Sequence, residues 1–436
     1  MNKTIRLLFV ILSICVLVIV SCVPEEDESG DIITDGGETT FTWTFIDGNA
    51  AGGLNINSEK SATDSMLINH NSTLFATWSE NNSSDYSTIR VKKRIGDSWV
   101  LVDDATGDGI NRDSAHNAYN PKLGIHDSAL YLVWSEQNAS FVSQIRVAKW
   151  DDPSWTFIGS NDENNGINAN PGYSAEYPNI ASIDSKLYVT WREYDVSDIA
   201  HVRVAKWDDP TWTMIDGTND GLNINAGKNA QEPFMIAYNS KLYVAFVEDD
   251  ASDDISQARV KQYDVSNDIW TFVDGSDPLK GINFYPTEYA YNVSLYVFNS
   301  SLFATWVENV GASIGTIRVA KWDGSSTWEF VDGNTPAGLR YDSTKSAIYP
   351  SLIEINSRLV AVWSEDNGTD NQIRAARWDN VSTWTFMDGN ASNGLNWETD
   401  AWAYSPKPAV MNSKLFITWV EDSGGSIGRI RVRQGE

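Results

Sequence analysis

The sequence predicts an all-β fold, a seven-bladed β-propeller built from four-stranded repeats of about 57 residues. The first observation is a set of three seven-membered series. A W-x-x-x-D/G motif begins at Trp43, Trp99, Trp155, Trp212, Trp270, Trp328 and Trp384. An apolar run ends in aromatic-x-Glu at Glu80, Glu136, Glu193, Glu248, Glu308, Glu365 and Glu421. An I-R-V motif or a close variant places Arg90, Arg146, Arg203, Arg259, Arg318, Arg374 and Arg431. Within the glutamate series the spacing runs from 55 residues (Glu193 to Glu248) to 60 (Glu248 to Glu308). The second observation is the pattern inside one repeat. LYVTWRE (187–193) alternates as a strand does, and Ile-Asp-Ser-Lys and Asp-Asp-Pro-Thr between the runs are turn chemistry. No stretch of the mature chain carries an apolar period of 3.6. The third observation is a break in the last repeat. The mature part opens with a lone fourth strand, TFTWTFIDG (40–48), and closes with a third strand, RIRVRQG (429–435). Pairing these two closes the ring without leaving an open sheet edge, whereas a solenoid would need atypical caps at both ends.

Composition bounds the partners. The formal charge is −27, and removing residues 1–22, which carry Lys3 and Arg6 and no acid, takes it to −29. Such a surface repels phosphate backbones and anionic headgroups, so nucleic acid is excluded as a partner. The two cysteines, Cys15 and Cys22, both lie in the N-terminal segment, which leaves the folded part no disulfide and no thiolate metal site.

The N-terminus divides into two segments. MNKTIR carries two positive charges, and the apolar run at 7–20 is too short to span a membrane comfortably but suits a signal peptide. Ile19-Val20-Ser21-Cys22 resembles the lipobox of bacterial lipoproteins. The resemblance implies a signal peptide over 1–22, lipidation of Cys22, and anchoring in the cell envelope, at the outer membrane or the cell surface. Residues 23–40, acidic and poor in apolar side chains, read as a disordered tether, and 41–436 as the propeller.

The Glu and Arg series predict cross-strand ion pairs: Glu80 with Arg90, Glu136 with Arg146, Glu193 with Arg203, Glu248 with Arg259, Glu308 with Arg318, Glu365 with Arg374 and Glu421 with Arg431. Presence in every blade favours a structural role, because a single functional site needs asymmetry. The alternative is a ring of equivalent sugar sites. Trp322-Asp323-Gly324 with Trp328, plus the Arg, Glu and Trp of each blade, resembles the propeller lectins that bind fucose. Those lectins carry the Arg on the second strand and the Glu on the third; here the order is reversed, so fucose specificity does not carry over. Asp379 to Trp384 resembles the Asp-box of sialidases, which is itself a structural turn.

Aromatics that stand outside the repeated tryptophan pattern are the ligand candidates: Trp397 and Trp402 in the loop before the last blade, with Tyr119, Tyr177, Tyr349 and Tyr404 near the mouth of the central channel. Plugging of the channel mouth is the competing role. No cofactor is expected. Calcium is the open alternative, because Asp216-x-Thr218-x-Asp220-Gly221 and Asp104-x-Thr106-x-Asp108-Gly109 have calcium-loop oxygen spacing but no Glu at the twelfth place. His70, His116, His126 and His201 are scattered, and no nucleophile-elbow, zinc-protease or phosphate-loop motif is present. A monomeric lipoprotein that binds a glycan or a protein is expected. A carbohydrate-active hydrolase or lyase, or a purely structural envelope protein, is the alternative. The loops joining strand four to the next strand one, and strand two to strand three, are long and variable, which predicts the ligand on that face.

Overall fold

The computed structural model describes residues 41–48, 51–103, 108–159, 165–217, 220–251, 255–275, 277, 279–311, 314–325, 327–389, 394–422, 424 and 427–436. The expected signal peptide (1–22), with Cys22, and the expected tether (23–40) lie outside the described residues. The described chain forms seven four-stranded antiparallel sheets. Blades one to six occupy 62–101, 118–157, 175–214, 230–272, 290–330 and 347–386. Blade seven combines 402–435 with the strand Trp43–Phe45. The first strands of successive blades touch one another, and that of blade seven touches that of blade one, so they form a closed ring around a channel. The fold is the seven-bladed propeller that the repeats predict.

Closure occurs where the split repeat places it. Trp43 pairs with Gly435, Thr44 with Gln434 and Phe45 with Arg433. The Thr42 N–H adds a bond of 2.9 Å to the Glu436 carbonyl. The Trp43 indole also donates to the Met387 carbonyl of blade six at 2.7 Å. The same bond links other neighbouring blades, from Trp99 to Ile46, Trp155 to Val102, Trp270 to Ile215, Trp328 to Val273 and Trp384 to Val331. Six of the seven fourth-strand tryptophans are therefore staples between blades, and the Trp212 indole N–H makes no such bond.

LYVTWRE is the strand its alternation predicts, and it is buried on both faces: Leu187, Tyr188, Val189, Thr190 and Trp191 are all at 0% exposure. Each second strand is sandwiched between two blades, so both of its faces are core. The apolar clusters accordingly straddle blade boundaries, as where Leu67 and Trp78 of blade one meet Phe416 and Val432 of blade seven.

The first strand turns into the second through two-residue Asn-Ser or Asp-Ser hairpins with positive φ at both positions, for example Asn71 (50°) and Ser72 (57°). Every first strand also carries a bulge near its start, with register shifts such as that between Thr63 and Met66. The bulged residues Asp64, Asn120, Tyr177, Glu232, Asn292, Tyr349 and Ser405 all have φ near +55°, from 53° to 56°. A bulge re-aims side chains, and this ring of bulges shapes the site.

Candidate functional site

The glutamate and arginine series are structural, but their pairing differs from the expected one. The register sets Arg90 opposite Trp78, while Glu80 faces Thr88. Each arginine instead reaches the Asp that ends the W-x-x-x-D motif: Arg90–Asp103 and Arg203–Asp216 at 2.7 Å, Arg259–Asp274 and Arg318–Asp332 at 3.5 Å, Arg374–Asp388 at 3.3 Å and Arg431–Asp47 at 3.4 Å. Blade two has Gly159 at that place, and Arg146 donates to the Asn165 carbonyl at 2.8 Å. Glu308 and Arg318 still approach to 3.9 Å. The expected partners thus attract one another through the core, but the direct contact belongs to the aspartate. A two-residue register offset is the reason.

The glutamates clamp loops. Glu80 accepts the N–H groups of Ile56 and Asn57 at 2.9 and 2.8 Å and the Trp78 indole at 2.7 Å. Glu136, Glu193, Glu248, Glu308, Glu365 and Glu421 hold the corresponding loops in the same way, as Glu421 holds Trp397 and Glu398. Burial pushes the carboxyl pKa up in Glu136, Glu193, Glu308, Glu365 and Glu421, and in Glu248 up to about 7. Blade four carries Phe246 in place of Trp, so Glu248 has no indole donor two residues before it. All seven glutamates and all seven arginines are exposed by 8% or less, which closes them to a ligand.

A loop motif escaped the sequence reading. Gly-Leu-Asn or Gly-Ile-Asn precedes every clamped pair except Gly338-Leu339-Arg340. In Gly394-Leu395-Asn396, Asn396 accepts the Ile373 N–H at 2.9 Å and donates at 3.0 Å to the carbonyls of Asn371 and Ala401. A Cβ on Gly394 would stand 2.3 Å from the Ile373 carbonyl oxygen. Arg340 takes over in its loop by donating to the Lys345 carbonyl at 3.2 Å. Six copies, each 27 residues before the clamping glutamate, were visible in the sequence, but Gly and Asn read there as ordinary turn residues.

These loops account for several expected site residues. Trp397 lies over the Arg431 guanidinium at 4.8 Å and meets Phe45 edge-on at 4.7 Å, as Phe284 lies over Arg318 at 4.3 Å and Tyr341 over Arg374 at 4.2 Å. It belongs to the blade packing. Trp322 stacks on Trp328 at 6.3 Å, and Asp379 accepts the N–H groups of Val381, Ser382 and Thr383 as a turn. The carboxylate of Asp216 is bonded to Arg203, and the Asp220 carbonyl contacts His201 at 3.2 Å. Asp104, Thr106 and Thr218 lie outside the described residues, among which no group of three or more His, Cys, Asp or Glu could hold a metal.

The remaining candidates converge. Trp402 opens the first strand of blade seven, 53% exposed, and shares a strand face with Tyr404. Tyr119 and Tyr177 are exposed at the corresponding ends of blades two and three, and Tyr349 sits on the bulge of blade six. Tyr291 of blade five, absent from the sequence reading, joins them. Burial raises the phenol pKa of all five tyrosines, so their hydroxyls remain donors at neutral pH. The charges of Asp64 and Glu232 add to that shift in Tyr177 and Tyr349, which places the two carboxylates among the rings.

Blade three breaks the repeat. Where other blades place Ser or Val between the aromatic and the Glu, it places Arg192. Arg192 bonds Glu176 and donates to the Gln231 amide oxygen at 2.9 Å. Its guanidinium lies over Tyr177 at 4.7 Å and Tyr194 at 5.0 Å. A cavity of about 490 Å³ opens beside it, lined by Tyr173, Glu176, Tyr194 and Val196 among others. Below the rings, Lys122 and Lys407 occupy equivalent places on the first strands of blades two and seven. Burial lowers both ammonium pKa values, that of Lys407 to about 7. The result is a funnel with an aromatic rim, one charged asymmetric sector and a charged waist.

No protein-family model matches the chain, and no curated protein matches its sequence. Among solved structures it is similar to polysaccharide lyase Uly1, with a TM-score of 0.52 and 10% identity over 86% of this chain and 89% of that one. It is also similar to a protein of unknown function from Dyadobacter fermentans (TM-score 0.47, 13% identity, 87% and 96% covered) and to Trypanosoma rangeli sialidase (0.44, 10%, 86% and 55%). At these identities what is shared is the propeller fold.

Proposed function

We propose that the protein is a monomeric cell-envelope lipoprotein, anchored through Cys22, whose propeller binds a glycan at the mouth of the funnel. The observation that carries this reading is the rim itself. Trp402, Tyr404, Tyr119 and Tyr177 offer flat apolar faces and phenol donors around a concave opening, which is the mixture that sugar rings require. The polysaccharide lyase of similar fold is consistent with a carbohydrate ligand. Screening the full chain in mild detergent on a glycan array tests the reading. Binding that Trp402→Ala abolishes is expected; an array without a glycan hit, alongside capture of a defined peptide, would replace the glycan by a protein ligand. Loss of lipid labelling in Cys22→Ser tests the anchor.

A catalytic reading is favoured by one observation. Burial pushes the Lys407 ammonium down to about 7 beside the carboxylates of Glu232 and Asp64, which suits a proton-transferring group. Incubation with soluble polysaccharides, followed by reducing-end and unsaturated-product assays, separates an enzyme from a binding module.

A further inference from the structure

We propose that the waist of the funnel, between Lys122 and Lys407, is an anion site that takes a carboxylate or sulfate group of the ligand. The nature of the ligand rests on the glycan reading; the site itself does not.

The waist is built by equivalent positions of the first strands, occupied by Met66, Asn179, Phe234, Ser294 and Ser351 in five blades and by lysine in the other two. Lysine at this one position in two blades, against neutral residues in the other five, is a local asymmetry that the fold does not require. Among the described residues neither ammonium makes a hydrogen bond or ion pair with the protein, and neither has a further contact of those kinds. Lys92 and Lys186, by contrast, find partners, the Leu54 carbonyl at 2.7 Å and Asp208 at 2.9 Å.

The carboxylates that share the waist are already occupied by neutral donors. Glu232 accepts the Asn292 N–H at 2.6 Å and its amide at 3.3 Å. Asp64 accepts the Thr63 hydroxyl at 3.2 Å and the Asn120 N–H at 3.4 Å. For Lys407 the repulsion from Lys122 outweighs the attraction from either Glu232 or Asp64, after burial as the first cause of its lowered pKa. Both lysines are half-buried, and two positive charges facing one channel with no bonded partner repel each other, which is costly. An anion between two ammonium groups offsets that cost and accepts their free N–H donors. Tyr119 and Tyr404 precede the lysines by three residues on the same two strands, so a sugar held by the rings can carry its acidic group down to the lysines.

The test uses the full chain in mild detergent, its lysines reductively ¹³C-methylated, which keeps their charge. Loss of one resonance in Lys407→Arg assigns Lys407. Sodium glucuronate and sodium sulfate are the probes, with glucose as the neutral control. The Lys407 resonance is expected to shift with glucuronate, sulfate or both, and not with glucose. Which anion acts identifies the acidic group. Lys122→Met, which removes the charge and keeps the length of the side chain, is expected to weaken the response about tenfold. No shift with either anion, or an equal response in Lys122→Met, overturns the anion site. If neutral glycans still bind the rim in that case, the glycan reading stands without it. Anion binding with no glycan bound by any assay keeps the site and removes the glycan reading.

Discussion

Arg431 and Asp47 meet at 3.4 Å across 384 residues of sequence, both side chains fully enclosed. The contact joins the third strand of blade seven to the strand that enters from the N-terminus. Asp47→Asn withdraws the countercharge from a buried guanidinium, which costs about 3 kcal/mol. Thermal unfolding of the full chain checks this. A melting point equal to that of the parent would mean that closure does not depend on the pair.

Trp363 and Phe246 occupy the same place in different blades, and only the first supplies an indole N–H, to Glu365 at 2.7 Å. Trp363→Phe should therefore push the Glu365 carboxyl further up, towards the behaviour of Glu248. The sign follows from proton linkage. An acid whose folded pKa lies above its unfolded value binds more protons when folded, so the protein loses stability as pH rises from the unfolded pKa through the folded one. For Glu248 that window runs from 4.5 to about 7. In the variant the loss of stability between pH 5 and pH 8 is expected to exceed that of the parent by roughly 1–2 kcal/mol. Denaturant titration at both pH values measures it, and an identical pH dependence would contradict the indole's role.

Gly394 and Gly389 both have positive φ, at 51° and 80°. A methyl group on Gly394 would press against the Ile373 carbonyl, whereas nothing lies within 4 Å of one on Gly389. Gly389→Ala should cost about 1 kcal/mol from backbone conformation alone. Gly394→Ala should cost appreciably more, because the loop must also leave the third strand. Equal losses in a thermal melt would show that close approach does not matter there.

The blade-three sector can be restored to the repeat. Glu176→Thr with Arg192→Ser installs the pair that blade one carries as Thr63 and Ser79. The double variant should fold as the parent does and bind the ligand more weakly by about 1–3 kcal/mol. Unchanged binding would move the site towards Trp402 and Tyr404 on the opposite part of the rim.

Much of the architecture was legible because repetition turns weak signals into strong ones. The lone strand TFTWTFIDG announced the closure that Trp43 and Gly435 make. The partner of Arg90 was not legible, because choosing between Glu80 and Asp103 requires the strand register to within two residues. Sequence reasoning also favoured conspicuous tryptophans. That brought in Trp397, whose ring covers Arg431, and left out Arg192, Lys122 and Lys407. Aligning the seven repeats and asking where a charge replaces a neutral residue would have found all three, since asymmetry marks function on a symmetric frame.

The strand Trp43–Phe45 is synthesised first among the blades, yet its partner Gly428–Gly435 is synthesised last. A chain emerging from a ribosome, or threaded through a membrane pore from its N-terminus, therefore carries an unmatched strand for the whole of its passage. Six blades can assemble in order, but the circle stays open until the strand Gly428–Gly435 arrives. Premature termination before that strand leaves a product that cannot lock, with the edge of Trp43–Phe45 open to pairing with other chains.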